Sequence, residues 1–148
     1  MSNLTASRNL ATQAGNGWDI RTGSAKNATT FYAGSFLMLD ISTGYIEKAA
    51  DTANFVWMGI CGRQKVGDTT SEPNDVQIIC GPITLLNYAV TGASAVTNQG
   101  DLVYATDDQT LTTSSTSNTK AVGYIAKWLT STSCDVVLFS PEASRALN

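Results

Sequence analysis

Histidine is absent from the 148 residues of this chain. Its absence removes the commonest general base, a common metal ligand and every catalytic triad built on imidazole. Charged side chains are also scarce, at 14% against roughly 25% in an average soluble protein. The net charge is −3, and no window concentrates lysine and arginine. Because a nucleic-acid binder needs a basic face to displace counterions from phosphates, we expect no nucleic-acid partner.

Long apolar runs and phosphate-binding motifs are missing as well. No stretch approaches the roughly 20 apolar residues that span a bilayer, so we expect no membrane partner. Residues 1–17 are polar and lack the apolar core of a secretory signal, so we expect no secretory leader there. Neither G-x-x-x-x-G-K-[ST] nor G-x-G-x-x-G occurs, and no cofactor is predicted.

The thiols are few and widely spaced. Cys61, Cys80 and Cys134 form an odd set without a C-x-x-C pair, so one disulfide is possible, but buried reduced thiols are favoured. A nearby cation could activate a thiol by lowering its pKa. Cys61 and Cys80 nevertheless lie in apolar runs, which favours core packing over reactivity.

The acidic residues suggest turns more than chemistry. Asp107 and Asp108 lie between two β-like runs, which favours turn formation. Asp68, Glu72 and Asp75 share one loop and could gather around calcium, but their spacing matches no EF-hand, and a solvated loop is favoured. We therefore predict no catalytic, cofactor-binding or metal-ligating residue, and no enzyme.

What the chain does contain is a succession of short apolar runs separated by turn signals, with no long helical period. This pattern predicts an all-β fold, a small β-sandwich or β-barrel with an extended N-terminal arm. Residues 36–39 and 45–48 should form a hairpin around Gly44. Phe55–Cys61 is apolar on both faces, which is typical of a central strand. Residues 140–142, Ser-Pro-Glu, predict one short helical turn.

Residues 1–28 differ from the rest in being polar and rich in small side chains. The composition predicts an extended arm at 1–28, a sandwich or barrel domain at 29–140 and a short tail at 141–148. The alternatives for the arm are a disordered tail or a strand laid on the edge of its own domain. About 25 extended residues could span on the order of 80–90 Å, enough to reach a neighbouring subunit.

The arm also supplies the candidate interface. Its sizeable apolar side chains, which we take as candidate interface residues, are Leu4, Leu10, Trp18 and Ile20. Trp18 has no local core to join, so we expect it to anchor in a pocket on the same or a neighbouring subunit. Trp57 and Trp128 lie in apolar runs, and core or subunit-interface roles are favoured for them.

The order of units resembles the small capsid decoration (cement) proteins of tailed bacteriophages and their prophage relatives. The resemblance covers about residues 29 to 140, and the arm has no clear counterpart in it. It is carried by residues 30–34 (TFYAG), 38–40 with 43–45, 55–62, 100–108 (GDLVYATDD) and 121–125 (AVGYI).

That resemblance implies a β-sandwich or barrel without an active site. It implies binding to the outside of an assembled phage head, commonly as a homotrimer at threefold or quasi-threefold positions. The major capsid protein and other copies of the chain would then be its partners, and the virion exterior its location after synthesis in the host cytoplasm.

Two other classes stay open. Aromatic residues and hydroxyl-rich loops are also compatible with a carbohydrate-binding or adhesin module. The β pattern is equally compatible with another virion protein, such as a tail-tube or baseplate component.

Overall fold

The computed structural model describes residues 3–12 and 19–148 of the chain. Within those residues the structure is mostly β, which confirms the predicted all-β sandwich or barrel class. One short 3₁₀ turn, Val96–Asn98, and one helix, α1 (Pro141–Leu147), accompany the strands. The strands are β1 (Asp19–Ser24), β2 (Thr30–Phe31), β3 (Phe36–Asp40), β4 (Ile46–Lys48), β5 (Phe55–Cys61), β6 (Lys65–Val66), β7 (Asp75–Cys80), β8 (Ile83–Thr91), β9 (Leu102–Ala105), β10 (Leu111–Thr112), β11 (Ala121–Thr130) and β12 (Ser133–Leu138).

Five strands form a curled antiparallel sheet in the order β1-β7-β5-β3-β4. Its two outer strands meet at one end, because Ala25, directly after β1, forms a parallel bridge with Ile46 in β4. The Lys26 N–H donates to the Ile46 carbonyl at 3.1 Å, and Lys26 Nζ lies 2.8 Å from Glu47 Oε1. The sheet therefore curls almost into a barrel of its own.

A second set of five strands forms a closed barrel in the order β10-β8-β12-β11-β9. β10 has two residues and pairs with β8 only at Val90 and Thr91. The rest of that edge of β8, residues 83–89, is not covered by β10. We call this uncovered edge of β8 the barrel seam.

Two hydrophobic clusters lie on the two faces of the curled sheet. Phe36 and Met38 in β3 join the larger cluster, which includes the barrel interior, whereas Leu37 joins the smaller cluster inside the curl. In β5, Trp57 joins the larger cluster and Cys61 the smaller one. β5 lies in the middle of the sheet, which confirms the prediction from its two apolar faces.

Two local predictions are confirmed. β3 and β4 pair as a hairpin, and Gly44 in their connection has a φ of 82°. α1 begins after Ser140, whose Oγ accepts the Ala143 N–H at 3.2 Å. The predicted tail 141–148 thus consists mainly of this helix, which the Ser144 hydroxyl ties to β11 by donating to the Ala121 carbonyl at 2.6 Å.

The predicted arm is divided between two structural settings. Residues 3–12 run along the body, where Thr12 forms an isolated bridge with Leu85. All six residues of β1 pair with β7, which corresponds to the alternative of a strand laid on the domain's own edge. Ala25 is fully buried in the smaller cluster. Among the described residues, the compositional boundary at residue 28 therefore falls inside the folded body.

Candidate interface of the N-terminal segment

Residues 3–12, which we call the N-terminal segment, contact the body at three separated places. The first lies at Leu4, the second at Ser7 and Arg8, and the third at Ala11 and Thr12. Most of its other side chains are exposed. The segment is therefore held by discrete anchors, and a continuous ladder like that of β1 is not formed.

The first anchor is a buried carboxyl group. Asp108 is 0% exposed, and its Oδ1 accepts the Leu4 N–H at 2.8 Å. In return, the Asp108 N–H donates to Asn3 Oδ1 at 3.4 Å. Asp108 Oδ2 is buried without a hydrogen-bond partner. Burial raises the pKa of this carboxyl group, while the Leu4 N–H and the charges of Lys48 and Arg8 act in the opposite direction.

The second anchor is a guanidinium group between two aromatic rings. The Cζ atom of Arg8 lies 5.3 Å from the ring centroids of both Phe36 and Tyr88, within the range of a cation–π interaction. Its Nε donates to the Gly34 carbonyl at 3.0 Å, and its backbone N–H donates to the Ala33 carbonyl at 2.9 Å. Arg8 Nη2 is buried without a hydrogen-bond partner. The rings therefore hold the charged group of Arg8, and the two hydrogen bonds fix the position of the segment along the body.

Gly34 makes this close approach possible. It has a φ of +85°, and a Cβ added there would lie 2.7 Å from both Arg8 Cγ and the Arg8 carbonyl oxygen. Next to it, the Ala33 N–H donates to Ser7 Oγ at 3.1 Å. A larger residue at position 34 would therefore collide with the segment as well as strain the backbone.

The third anchor lies on the barrel seam. The Leu86 N–H donates to the Ala11 carbonyl at 2.8 Å, next to the bridge between Thr12 and Leu85. Leu10, half-buried, packs against the larger hydrophobic cluster. The segment thus supplies part of the pairing that a longer β10 would give.

A cavity of about 350 Å³ lies between the segment and the body. Its walls include Arg8, Leu10 and Thr12 on one side and Ile60, Ile79 and other body residues on the other. The segment therefore covers part of the body without filling the space beneath it.

The structure separates the four candidate interface residues. Leu4 and Leu10 are half-buried on the N-terminal segment. Ile20 is 59% exposed on β1, one of the two outer strands of the curled sheet. Trp18 lies outside the described residues. Leu4 and Leu10 thus lie on the same segment, and Ile20 lies on a different element.

The thiols and Trp57 are buried in the core, whereas Trp128 is half-buried and packs against the larger hydrophobic cluster. Cys61, Cys80 and Cys134 are free and buried, which confirms the prediction of buried reduced thiols, and burial raises the pKa of each. The Trp57 indole N–H donates to the Phe139 carbonyl at 2.8 Å, and that of Trp128 donates to the Ser131 carbonyl at 2.8 Å.

The loop that carries Asp68 is stabilised by hydrogen bonds between its own residues. Asp68 accepts hydrogen bonds from the Thr70 N–H, the Thr70 hydroxyl and the Ser71 hydroxyl, and these bonds lower its pKa. Over residues 3–12 and 19–148, no three Cys, Asp or Glu side chains gather as a metal site. The one helix described there is too short to cross a bilayer.

The sequence analysis did not identify Arg8 or Gly34 as contact residues, nor Asp108 as the acceptor of the Leu4 N–H. Arg8 is the only charged side chain in residues 1–18, and that isolation was a usable signal. The turn predicted at 107–108 is formed through Asp107, whose Oδ1 accepts the Gln109 N–H at 2.9 Å. The use of Asp108 against Leu4 depends on a contact across 104 residues, which no local pattern reveals.

Comparison of the chain with protein-family models and with curated proteins gives no match in either set.

Proposed function

We propose that this chain is a non-catalytic structural protein of a virion, which binds the outer surface of a tailed-phage capsid and stabilises it. It acts as a trimer, with its N-terminal arm contacting neighbouring subunits. The observation that carries the proposal is the polar N-terminal segment, which is anchored at separated points on a body made of a curled sheet and a barrel. Such a segment suits a protein that attaches to neighbouring subunits through its surface.

The chemistry of the described side chains supports a non-catalytic role. Its three thiols are buried and their pKa values are raised, so they stay protonated at neutral pH and are poor nucleophiles. Histidine is absent. The carboxylates of Asp40 and Asp68 accept hydrogen bonds within their own turns.

The energetics of attachment favour an arm that is already ordered. Burial of apolar surface at capsid seams contributes about 25 cal/mol per Å², before the costs of association. A free arm would also lose roughly 1–2 kcal/mol of backbone entropy per fixed residue. A segment ordered on its own body loses less on transfer to a neighbour. A closed trimer then adds avidity without further contacts.

Binding to empty heads tests the proposal. Empty heads of a tailed phage, assembled from its major capsid protein, are mixed with the purified protein. We expect co-sedimentation, extra density at threefold positions in electron micrographs and a higher melting temperature of the heads.

Three results would contradict decoration. They are an absence of co-sedimentation, formation of rings or tubes by the isolated chain, which would indicate a tail component, and specific binding on a glycan array, which would indicate an adhesin. A variant lacking residues 2–12 serves as the matched control, because it should keep the body and bind heads more weakly.

A further inference from the structure

The barrel closes through only the two residues of β10, so most of one edge of β8 is left without a partner strand of the barrel. β10 covers only Val90 and Thr91 of β8, and the N-terminal segment pairs with the seam at Leu85 and Leu86. An uncovered strand edge is a template for another extended chain. We infer that the seam is a strand-acceptor groove that takes the N-terminal segment of a second copy of this chain.

The groove recognises both backbone groups and one side chain of the segment. Two of its anchors bind backbone groups of the segment, namely the Leu4 N–H and the Ala11 carbonyl. The third is the Arg8 side chain between Phe36 and Tyr88. Since Arg8 is the only charge in residues 1–18, a segment shifted along the groove would place an uncharged side chain between the rings. The groove is therefore specific for this sequence in this register.

The occupant that fits the groove is the N-terminal segment of another copy of the chain. A second copy carries the one segment known to satisfy all three anchors, and it makes the same contacts as the chain's own segment. Exchange of an identical element between protomers is a low-cost route to oligomers. The choice between the two arrangements then depends on effective concentration. Close packing of copies on a surface raises that concentration.

The length of the connection between the segment and β1 limits which copy the segment can reach. Six residues separate Thr12 from Asp19, so the connection spans at most about 25 Å when fully extended. A segment can therefore reach only a directly adjacent copy. Exchange between adjacent copies gives a closed ring where the rotation from one copy to the next closes. The inference rests on the proposed function in assuming that copies assemble side by side.

The test uses two single-cysteine additions on the full chain. Ser7 Oγ lies 3.5 Å from Gln64 Oε1, and both residues are exposed. Ser7→Cys and Gln64→Cys proteins are mixed, incubated and treated with a short bismaleimide. We expect covalent dimers, since the segment of one copy would lie on the body of another. The unaltered chain is the blank, because its three thiols are buried.

Two controls make the result specific. Ser7→Cys mixed with Ser115→Cys, which lies in a different exposed loop, measures chance collisions. Adding Arg8→Ala to the Ser7→Cys protein should reduce the dimer yield about tenfold, because the cation–π contacts and a hydrogen bond are lost.

The outcome does not depend on capsid binding. The inference is overturned if the mixture gives no more dimer than the collision control, while the double variant Ser7→Cys, Gln64→Cys cross-links only within single chains. It is also overturned if the double variant does not cross-link at all. A chain that exchanges segments but fails to bind heads would contradict the proposed function alone.

Discussion

The N-terminal segment and β1 come from the same polar stretch of sequence, yet the body holds them in different ways. β1 pairs with β7 at six consecutive positions and leads into the fully buried Ala25. The segment has three separated anchors, and two polar atoms buried at its contacts, Arg8 Nη2 and Asp108 Oδ2, lack partners. A continuous ladder with buried residues makes β1 part of the fold, whereas separated anchors permit the segment to leave without unfolding the body.

Deletion should separate the two regions most sharply. Removal of residues 2–24 takes away β1 and exposes the edge of β7, with the buried Val76, Ile78 and Cys80. We expect a loss comparable to the ~5–15 kcal/mol that stabilises a typical domain. Removal of residues 2–12 should lower the melting temperature by only a few degrees. Circular dichroism during heating measures both, and equal losses would contradict the distinction.

A pair of glycine substitutions should displace the segment and leave β1 in place. Gly34 and Gly44 have φ values of +85° and +82°, so alanine costs each about 1–2 kcal/mol of backbone strain. A Cβ at Gly34 would also meet Arg8 at 2.7 Å, whereas nothing lies within 4 Å of one at Gly44. Only Gly34→Ala should therefore release the segment.

Trypsin provides the measurement, since it cleaves after Arg8 once that side chain leaves the rings. We expect cleavage there to be about tenfold faster in Gly34→Ala than in Gly44→Ala, which corresponds to about 1.4 kcal/mol of lost docking free energy. Similar rates in the two variants would show that the contact with Gly34 does not hold the segment.

Much of the body could be predicted from sequence because its signals are local. The two apolar faces of β5 predicted its central position in the sheet. Gly44 predicted the turn between β3 and β4, and Ser140 predicted the start of α1. Cys61 and Cys80 could be assigned to the core for the same reason, since both lie in apolar runs.

The anchors could not be predicted, because they depend on contacts between distant parts of the chain. Leu4 and Asp108 are 104 residues apart, and Arg8 and Gly34 are 26 apart. Composition also placed residues 19–28 in the arm, whereas β1 and Ala25 belong to the folded body. β1 is polar because one of its faces is exposed, while Gly23 lies against Ile46 where the sheet curls.

The smallest expected effect is a pH dependence at the Leu4 anchor. The folded state raises the pKa of Asp108 above its ordinary value of 3.8. In the folded protein the carboxyl group therefore holds its proton to higher pH. Its contribution to stability is complete below the ordinary pKa and declines as the pH rises through the folded value.

Asp108→Asn keeps an Oδ1 that accepts the Leu4 N–H and removes the buried charge. At neutral pH the variant should be more stable than the unaltered chain by about 1 kcal/mol, a modest part of the cost of burying a poorly paired charge. The difference should shrink towards zero as the pH falls towards 3.8, because the original carboxyl group then becomes neutral as well. Melting temperatures of both proteins from acid to neutral pH measure it. A difference that grows in favour of the variant at low pH would show that the charges of Lys48 and Arg8 outweigh burial, and a difference that stays constant would contradict a raised pKa of Asp108.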